Sequence, residues 1–430
     1  MQEFAPFLLA EDPRLKQLFD VETEFVHHGV FVDDPYPQFH ELRESGPVHK
    51  GSPSVALGID PHADDNWLAQ GHEVYSCYSF DTCNYAFIEN ELFSSEAYYT
   101  ATHVTEHLGD TVLNKVGADH RSYRDALQPA FKPSYVQNWW REKFTAPTAE
   151  ILVSHFQNRG KVDLLRDLTS RMPFYITSAA FGVGPDQALP FRVAMDAAGR
   201  APTAEERADA VRTSIDMLEG IVAARRAEPQ DDIISMLLGI ERTTPEGGKC
   251  PFTTKEIVDH TRVVVFAGGG TTWRQMGITL FALLDNSDQM DEVRRDRSLL
   301  SGAVLEAARW NPTDPMFGRM TTADTELGGV KIPKGSVVQI CLGAANRDPA
   351  RWEDPDRFDI HRKVQRSLTF AGGPHSCLGQ HVARNEIEEA VGLVLDRLPG
   401  LRWDPDQPHP KITGTMIGRG ASALPVVWDV

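Results

Sequence analysis

The longest helical run in the sequence extends from about Thr253 to Asn286, and any fold must be built around it. Thr253 or Thr254 can cap its start, and Glu256 sits in its first turn. In its middle stands FAGGGTTWRQ, residues 266–275. Three consecutive glycines cost about 1 kcal/mol each against alanine in a helix interior. Such a stretch serves a kink, a close helix crossing, or a local opening that lets a ligand lie against the backbone. Thr271 and Thr272 offer hydroxyls there.

The surrounding pattern is mostly helical from about 115 to 310, broken at FGVGPDQ (181–187) and TTPEGGKCPFT (243–253). The segment from about 35 to 90 is rich in Gly, Pro, Asp and aromatics and reads as short strands and turns. PYPQFHELRESGPV (35–48) is one amphipathic helix inside it. Strand-like pieces return after RWNPTDP, as in ELGGVKIPKGSVVQICLG (326–343), and NRDPARWEDPDRFDIHR (346–362) is coil. The β-rich portions are thus about 35–90 and 326–430. No composition shift marks a linker, so the expectation is a single domain over 1–430, mainly α with small β-sheets (α+β).

The chain carries 43 basic and 61 acidic residues, a net charge of −18, which argues against nucleic-acid binding. Cys77, Cys83, Cys250, Cys341 and Cys377 are odd in number and form no CxxC pair. A disulfide framework or zinc site is not expected, and a reducing, cytoplasmic location is. The N-terminal MQEFAPFLLAEDPRLKQLF lacks a basic n-region, and no run reaches membrane-spanning length.

FAGGPHSCLGQ, residues 370–380, places one cysteine among three glycines and a proline, ahead of the helical LGQHVARNEIEEAVGLVLDRL. Cys377 therefore lies at a helix mouth, where amide donors and the dipole favour a thiolate. A thiolate there suits a metal ligand, haem iron being one well-defined case. A reactive thiol is the competing use, and it needs a base that the sequence does not specify.

FAGGPHSCLGQHVAR resembles the haem-binding loop of the cytochromes P450, FGxGxHxCxG: Phe370, Gly373, His375, Cys377 and Gly379 match, and Ala371 replaces a glycine. Other features stand in the family's order over essentially the whole chain. The resemblance implies the cytochrome P450 fold, with a long central helix over haem b, and Cys377 as iron ligand. Glu306 and Arg309 in EAAR match ExxR, and Arg357 in DPDRF would complete a Glu–Arg–Arg cluster that supports the cysteine loop. His120 and Arg124 match HxxxR; with Arg319 and His375 they would hold the haem propionates. Partly buried carboxylates need paired donors of this kind. Ala267, Gly268 and Thr271 match the oxygen-binding segment AGx(D/E)T, but Gly270 stands where the acid is usual. Proton delivery must then run through water, Thr272 or another segment.

The substrate-facing positions carried over from the family are Val263, Phe266, Ala267, Thr271, Pro315, Met316, Phe317, Met416 and Ile417, with Tyr98 and Tyr99 in a lid at 94–109. This set lacks a cation for a carboxylate, so the expected substrate is compact and apolar: a terpenoid, an aromatic or a steroid. The chain ends soon after the last of these positions, so electrons are expected from a separate ferredoxin served by a flavin reductase. Arg121, Lys132, Arg362, Lys363 and Arg366 would form the docking face. The leading reading is a monooxygenase using O2. The rivals are a haem-thiolate peroxygenase or dehydratase without a redox partner, and a non-enzymatic haem sensor.

Overall fold

The computed structural model describes residues 1–19, 32–58, 71–102 and 104–430. Residues 59–70 of the β-rich portion and residue 103 of the expected lid lie outside the described residues. The long helix spans Thr254–Asp285, and a capping box fixes its start. The Thr253 side chain accepts from the Glu256 amide at 3.2 Å, and Glu256 Oε2 accepts from the Thr253 amide at 2.8 Å. Its residues are buried along most of both halves, which is what an apolar helix inside a large core requires.

Of the readings offered for the glycines, the close helix crossing is the one seen at two of them, and the helix runs unbroken through 268–270. Its neighbours explain two of the three. The helix Met172–Ala180 crosses so closely that a Cβ at Gly268 would come within 2.9 Å of Thr177 Cγ2, and one at Gly269 within 3.4 Å of Phe174 Cα. At Gly270 a Cβ would meet nothing within 4 Å.

The main sheet takes strands from opposite ends of the chain, in the order Val48–Lys50, Val74–Cys77, Val337–Ile340, Phe317–Thr321, Phe93–Ser94. Val337–Ile340 lies parallel to Val74–Cys77 and antiparallel to Phe317–Thr321, with Val338 opposite both Tyr75 and Arg319. A second hairpin pairs Ile412–Thr415 with Gly418–Ala421. The main core surrounds the long helix and the helix Gln380–Arg397, and a smaller one lies under the sheet around Val48, Phe87 and Ile340. The portion from 35 to 90 holds more helix than expected: besides Tyr36–Ser45 it contains Phe80–Ile88, started by Ser79, whose Oγ accepts from the Thr82 amide. The expected lid is two short helices, Ser95–Ala101 and Val104–Leu108.

Candidate active site

The cysteine loop is shaped by backbone constraint. Ala371 and Gly373 both have positive φ, 56° and 65°. Gly373 is pressed on the end of Phe80–Ile88, where a Cβ would sit 2.6 Å from the Phe87 carbonyl oxygen, so only glycine fits. The Cys377 amide donates to the Phe370 carbonyl at 2.8 Å and closes the loop. The amides of Gly379 and Gln380, at the mouth of the next helix, donate to the sulfur. Burial nevertheless outweighs these amides and the nearby Arg124 charge, and pushes the Cys377 thiol up. Burial here thus works against the thiolate that the helix mouth favours, and a metal ion bound at the sulfur would shift the balance back.

Above the loop stands a cluster of nitrogen groups. The rings of His120 and His375 lie 4.2 Å apart, and His375 Nε2 pairs with Ser95 Oγ at 3.2 Å. Burial, then Arg124, lowers His120 to about 4. Burial, then Arg319, His120 and Arg124, lowers His375 to about 2. Arg319 is 5% exposed; its Nη1 donates to the Gly318 carbonyl. Its Nε and His120 Nδ1 are buried with no hydrogen-bond partner among the described residues. These two buried nitrogens, one of them Arg319's own, together with the nearby Arg124, suit anionic partners. Haem brings two carboxylates and an iron, so both the orphaned nitrogens and the raised thiol fit that group.

On the long helix, Phe266 is 43% exposed and Ala267 is also open, although the helix is buried on either side of them. Thr271 is half-buried, and its Oγ1 donates to the Ala267 carbonyl at 2.9 Å. Thr272 and Val263 are buried in the helix packing, so of the two threonines Thr271 is the one with access to the open stretch. The substrate positions divide in the same way. Ile417, at the hairpin turn, is 44% exposed, and Phe317 is half-buried beside Phe87. Met316 and Met416 are instead buried in a small cluster with Tyr36, Phe39 and Tyr78, and Pro315 is buried against Gly343. Tyr98 is also buried: its ring lies on Gly318, where a Cβ would be 2.1 Å from Cζ. Its neighbour Tyr99 stands beside Arg319.

The supporting ion cluster differs from expectation in one member. Glu306 takes a two-point contact from Arg309, at 2.7 and 2.8 Å, and a third bond at 2.9 Å from Arg362 Nε. Arg357 lends only its backbone carbonyl, which accepts from both arginines, and its side chain is exposed. Arg362 is therefore not a docking-face residue: its charge is spent on Glu306. The cause is the turn at Asp354 (φ 42°), whose carbonyl, with that of Glu353, draws the Arg362 guanidinium inward. The link to the cysteine loop was missed from sequence. Arg309 donates to the Asn346 carbonyl at 2.9 Å, and Asn346 Oδ1 accepts the Leu368 amide at 2.7 Å. The Asn-Arg-Asp turn signal at 346–348 marked a loop but not this connection.

Beside the loop lies a recess of about 350 Å³, bordered by Asn90, Glu91, His120, Arg121, Arg124 and Pro374, so it adjoins the nitrogen cluster. Arg366 reaches toward Gly372, while Lys132 and Lys363 are exposed, as is Val364. Among the described residues no helix is long and apolar enough to cross a membrane.

The family profile described as Cytochrome P450 matches residues 200–423, more than half of the sequence. The chain belongs to the cytochrome P450 family. Cytochrome P450 107B1 of Saccharopolyspora erythraea is 32% identical over 320 residues, 74% of this chain and 77% of its own length. Steroid C26-monooxygenase of Mycobacterium tuberculosis is 32% identical over 295 residues, 67% of this chain and 78% of its own. The solved structure of CalO2 matches with a TM-score of 0.78 at 27% identity, covering 92% of this chain and 96% of that one. The fold is thus the P450 α+β fold, and this P450 is a haem-thiolate oxidoreductase that uses O2, a monooxygenase by family.

Proposed function

We propose that this P450 hydroxylates a compact, largely apolar molecule of terpenoid, aromatic or steroid class, with electrons from a separate ferredoxin-type protein. Bound haem supplies the O2-activating iron. Around it, Cys377 is the iron ligand, with its sulfur held by the Gly379 and Gln380 amides. His120, Arg124, Arg319 and His375 bind the two propionates, and burial of these nitrogens makes their pairing with carboxylates stronger than at a surface. Thr271 holds and passes a proton at its Oγ1, which is free to leave the Ala267 carbonyl.

The observation that carries the substrate class is the pair of uncovered apolar side chains, Phe266 and Ile417, the latter on a hairpin whose second strand packs on the long helix. A steroid substrate is consistent with the named activity of the mycobacterial relative. The test is a screen for substrate-induced shifts of the haem spectrum, with fatty acids as the anionic control. Steroids or terpenoids should shift the spectrum of the parent and bind more weakly to Phe266→Ala and Ile417→Ala. Fatty acids as the only binders would overturn the class.

For the electron donor, Arg121, Lys132, Lys363 and Arg366 with exposed Val364 suit an acidic partner at the loop face. Reduction by an acidic ferredoxin should slow as salt rises, since screening shortens the Debye length to about 8 Å at 0.15 M. Charge reversal at Arg366 should act likewise while leaving substrate affinity alone. Rates indifferent to both would place docking elsewhere.

A further inference from the structure

Three residues beyond Thr271 the long helix carries Arg274, a cation only 7% exposed. A long helical side chain lies back over the turn before it. Here that turn is Gly270–Thr271, and Arg274 Nη1 donates to the Gly270 carbonyl at 2.7 Å. The guanidinium also stacks on the Trp273 ring, 4.8 Å from its centroid. Its outer wall is the strand Gly418–Ala421. A Cβ at Gly420 would sit 3.3 Å from Arg274 Cγ, and one at Gly418 would sit 3.7 Å from Cζ. Two glycines of the hairpin thus leave the room that this side chain fills. A Cβ at Gly270 itself would meet nothing within 4 Å, so the space it would fill is open, with the Arg274 side chain beyond that distance.

We propose that Arg274 is a positioning residue for proton delivery, and that its fixed charge takes over at this turn the task left by the carboxyl missing at Gly270. The inference rests on the reading of Thr271 as the proton-passing hydroxyl. The space at Gly270 admits a water molecule. A neighbouring guanidinium makes that water a better acid, because it stabilises the hydroxide left behind. One O–H bond of the water breaks and its proton goes to Thr271 Oγ1, while the hydroxyl's own proton passes to the co-substrate dioxygen as it is reduced. Bulk solvent then returns a proton to the hydroxide, so the site is unchanged after each transfer. The bond to the Gly270 carbonyl and the hairpin wall keep the charge in one place through the cycle.

The experiment compares Arg274→Met, Arg274→Lys and the double variant Gly270→Asp/Arg274→Met in the haem-loaded enzyme. The first readout is the C–O stretching frequency of the ferrous carbon monoxide complex, which reports the local field without turnover. Removing a nearby cation should raise it in Arg274→Met, and Arg274→Lys should stay near the parent. The second readout is product formed per NADH. It should fall several-fold in Arg274→Met with a matching rise in hydrogen peroxide, and recover in the double variant, which regains an acid. A merely structural arginine would lower the unfolding temperature in the methionine and lysine variants alike and move neither readout. Unchanged coupling and an unchanged stretch in Arg274→Met overturn the proposal. Thr271→Ala separates the two readings: if it couples as well as the parent, the threonine assignment fails, whereas if it uncouples while Arg274→Met does not, the arginine assignment alone fails.

Discussion

The two glycine-rich stretches of this P450 use the same residue for opposite reasons. In the cysteine loop, Gly373 is demanded by its own backbone, with φ 65° and the Phe87 carbonyl in the way of any side chain. In the long helix the backbone is ordinary, and neighbours decide: Thr177 and Phe174 exclude a side chain at Gly268 and Gly269, and nothing excludes one at Gly270. The loop side is over-determined by polar bonds, while the helix side is apolar and partly open. A substitution should therefore be read against its surroundings, not against the residue type.

The largest effects belong to the loop side. Glu306→Ala leaves buried Arg309 and half-buried Arg362 uncompensated and should cost about 3–5 kcal/mol, with poor haem retention. Arg362→Ala should be strongly destabilising too, whereas Arg357→Ala should stay within about 0.5 kcal/mol in denaturant unfolding. Equal losses for Arg357 and Arg362 would return the third place in the cluster to Arg357. Gly373→Ala comes next, since backbone strain alone costs about 1–3 kcal/mol before the clash with Phe87 is counted. A haem-loaded Gly373→Ala of parental stability would remove the contrast between the two stretches.

One residue of the loop side runs against its polar order. Glu386, on the helix after Cys377, is 1% exposed, and its Oε2 has no hydrogen-bond partner among the described residues. Burial raises its pKa well above the usual carboxylate range. The folded protein then keeps this proton while the unfolded chain loses it above about pH 4.3, so stability falls as pH rises. Glu386→Gln removes that loss. Its advantage over the parent should be absent near pH 4 and grow by up to about 1.4 kcal/mol per pH unit above that. A constant difference from pH 5 to pH 8 would show that the carboxyl is ionised in the fold.

The smallest effects lie in the long helix. Gly270→Ala should stabilise by up to about 1 kcal/mol, since alanine is the better helix former and the space is open. Gly268→Ala should destabilise by about 1 kcal/mol as the clash with Thr177 offsets that gain. If the two variants unfold alike, the close crossing is not what holds the glycines in place.

What could be read from the sequence follows the same division. The cap at Thr253, the ends of the long helix and the cysteine loop were legible because local chemistry fixes them: a Thr and a Glu three apart, and glycines where side chains cannot go. The burial of Tyr98 was not, because its cause is Gly318, more than two hundred residues away. Nor was the choice between Arg357 and Arg362, which depends on a left-handed turn at Asp354, a conformation that the local sequence only permits. The surroundings of Arg274 are equally invisible in the local sequence, since its walls are two glycines of the C-terminal hairpin.

The central place of Val337–Ile340 in the main sheet bears on how the chain is made. Its parallel neighbour Val74–Cys77 leaves the ribosome early, but the strand that covers it emerges only after more than three quarters of the chain has been synthesised. At about 5–20 residues per second, that edge stays open for on the order of ten seconds or longer. An uncovered strand with Val74, Tyr75 and Cys77 is a template for pairing with other chains. Yield of this protein in a cell should therefore depend on chaperones that shield the nascent amino-terminal third.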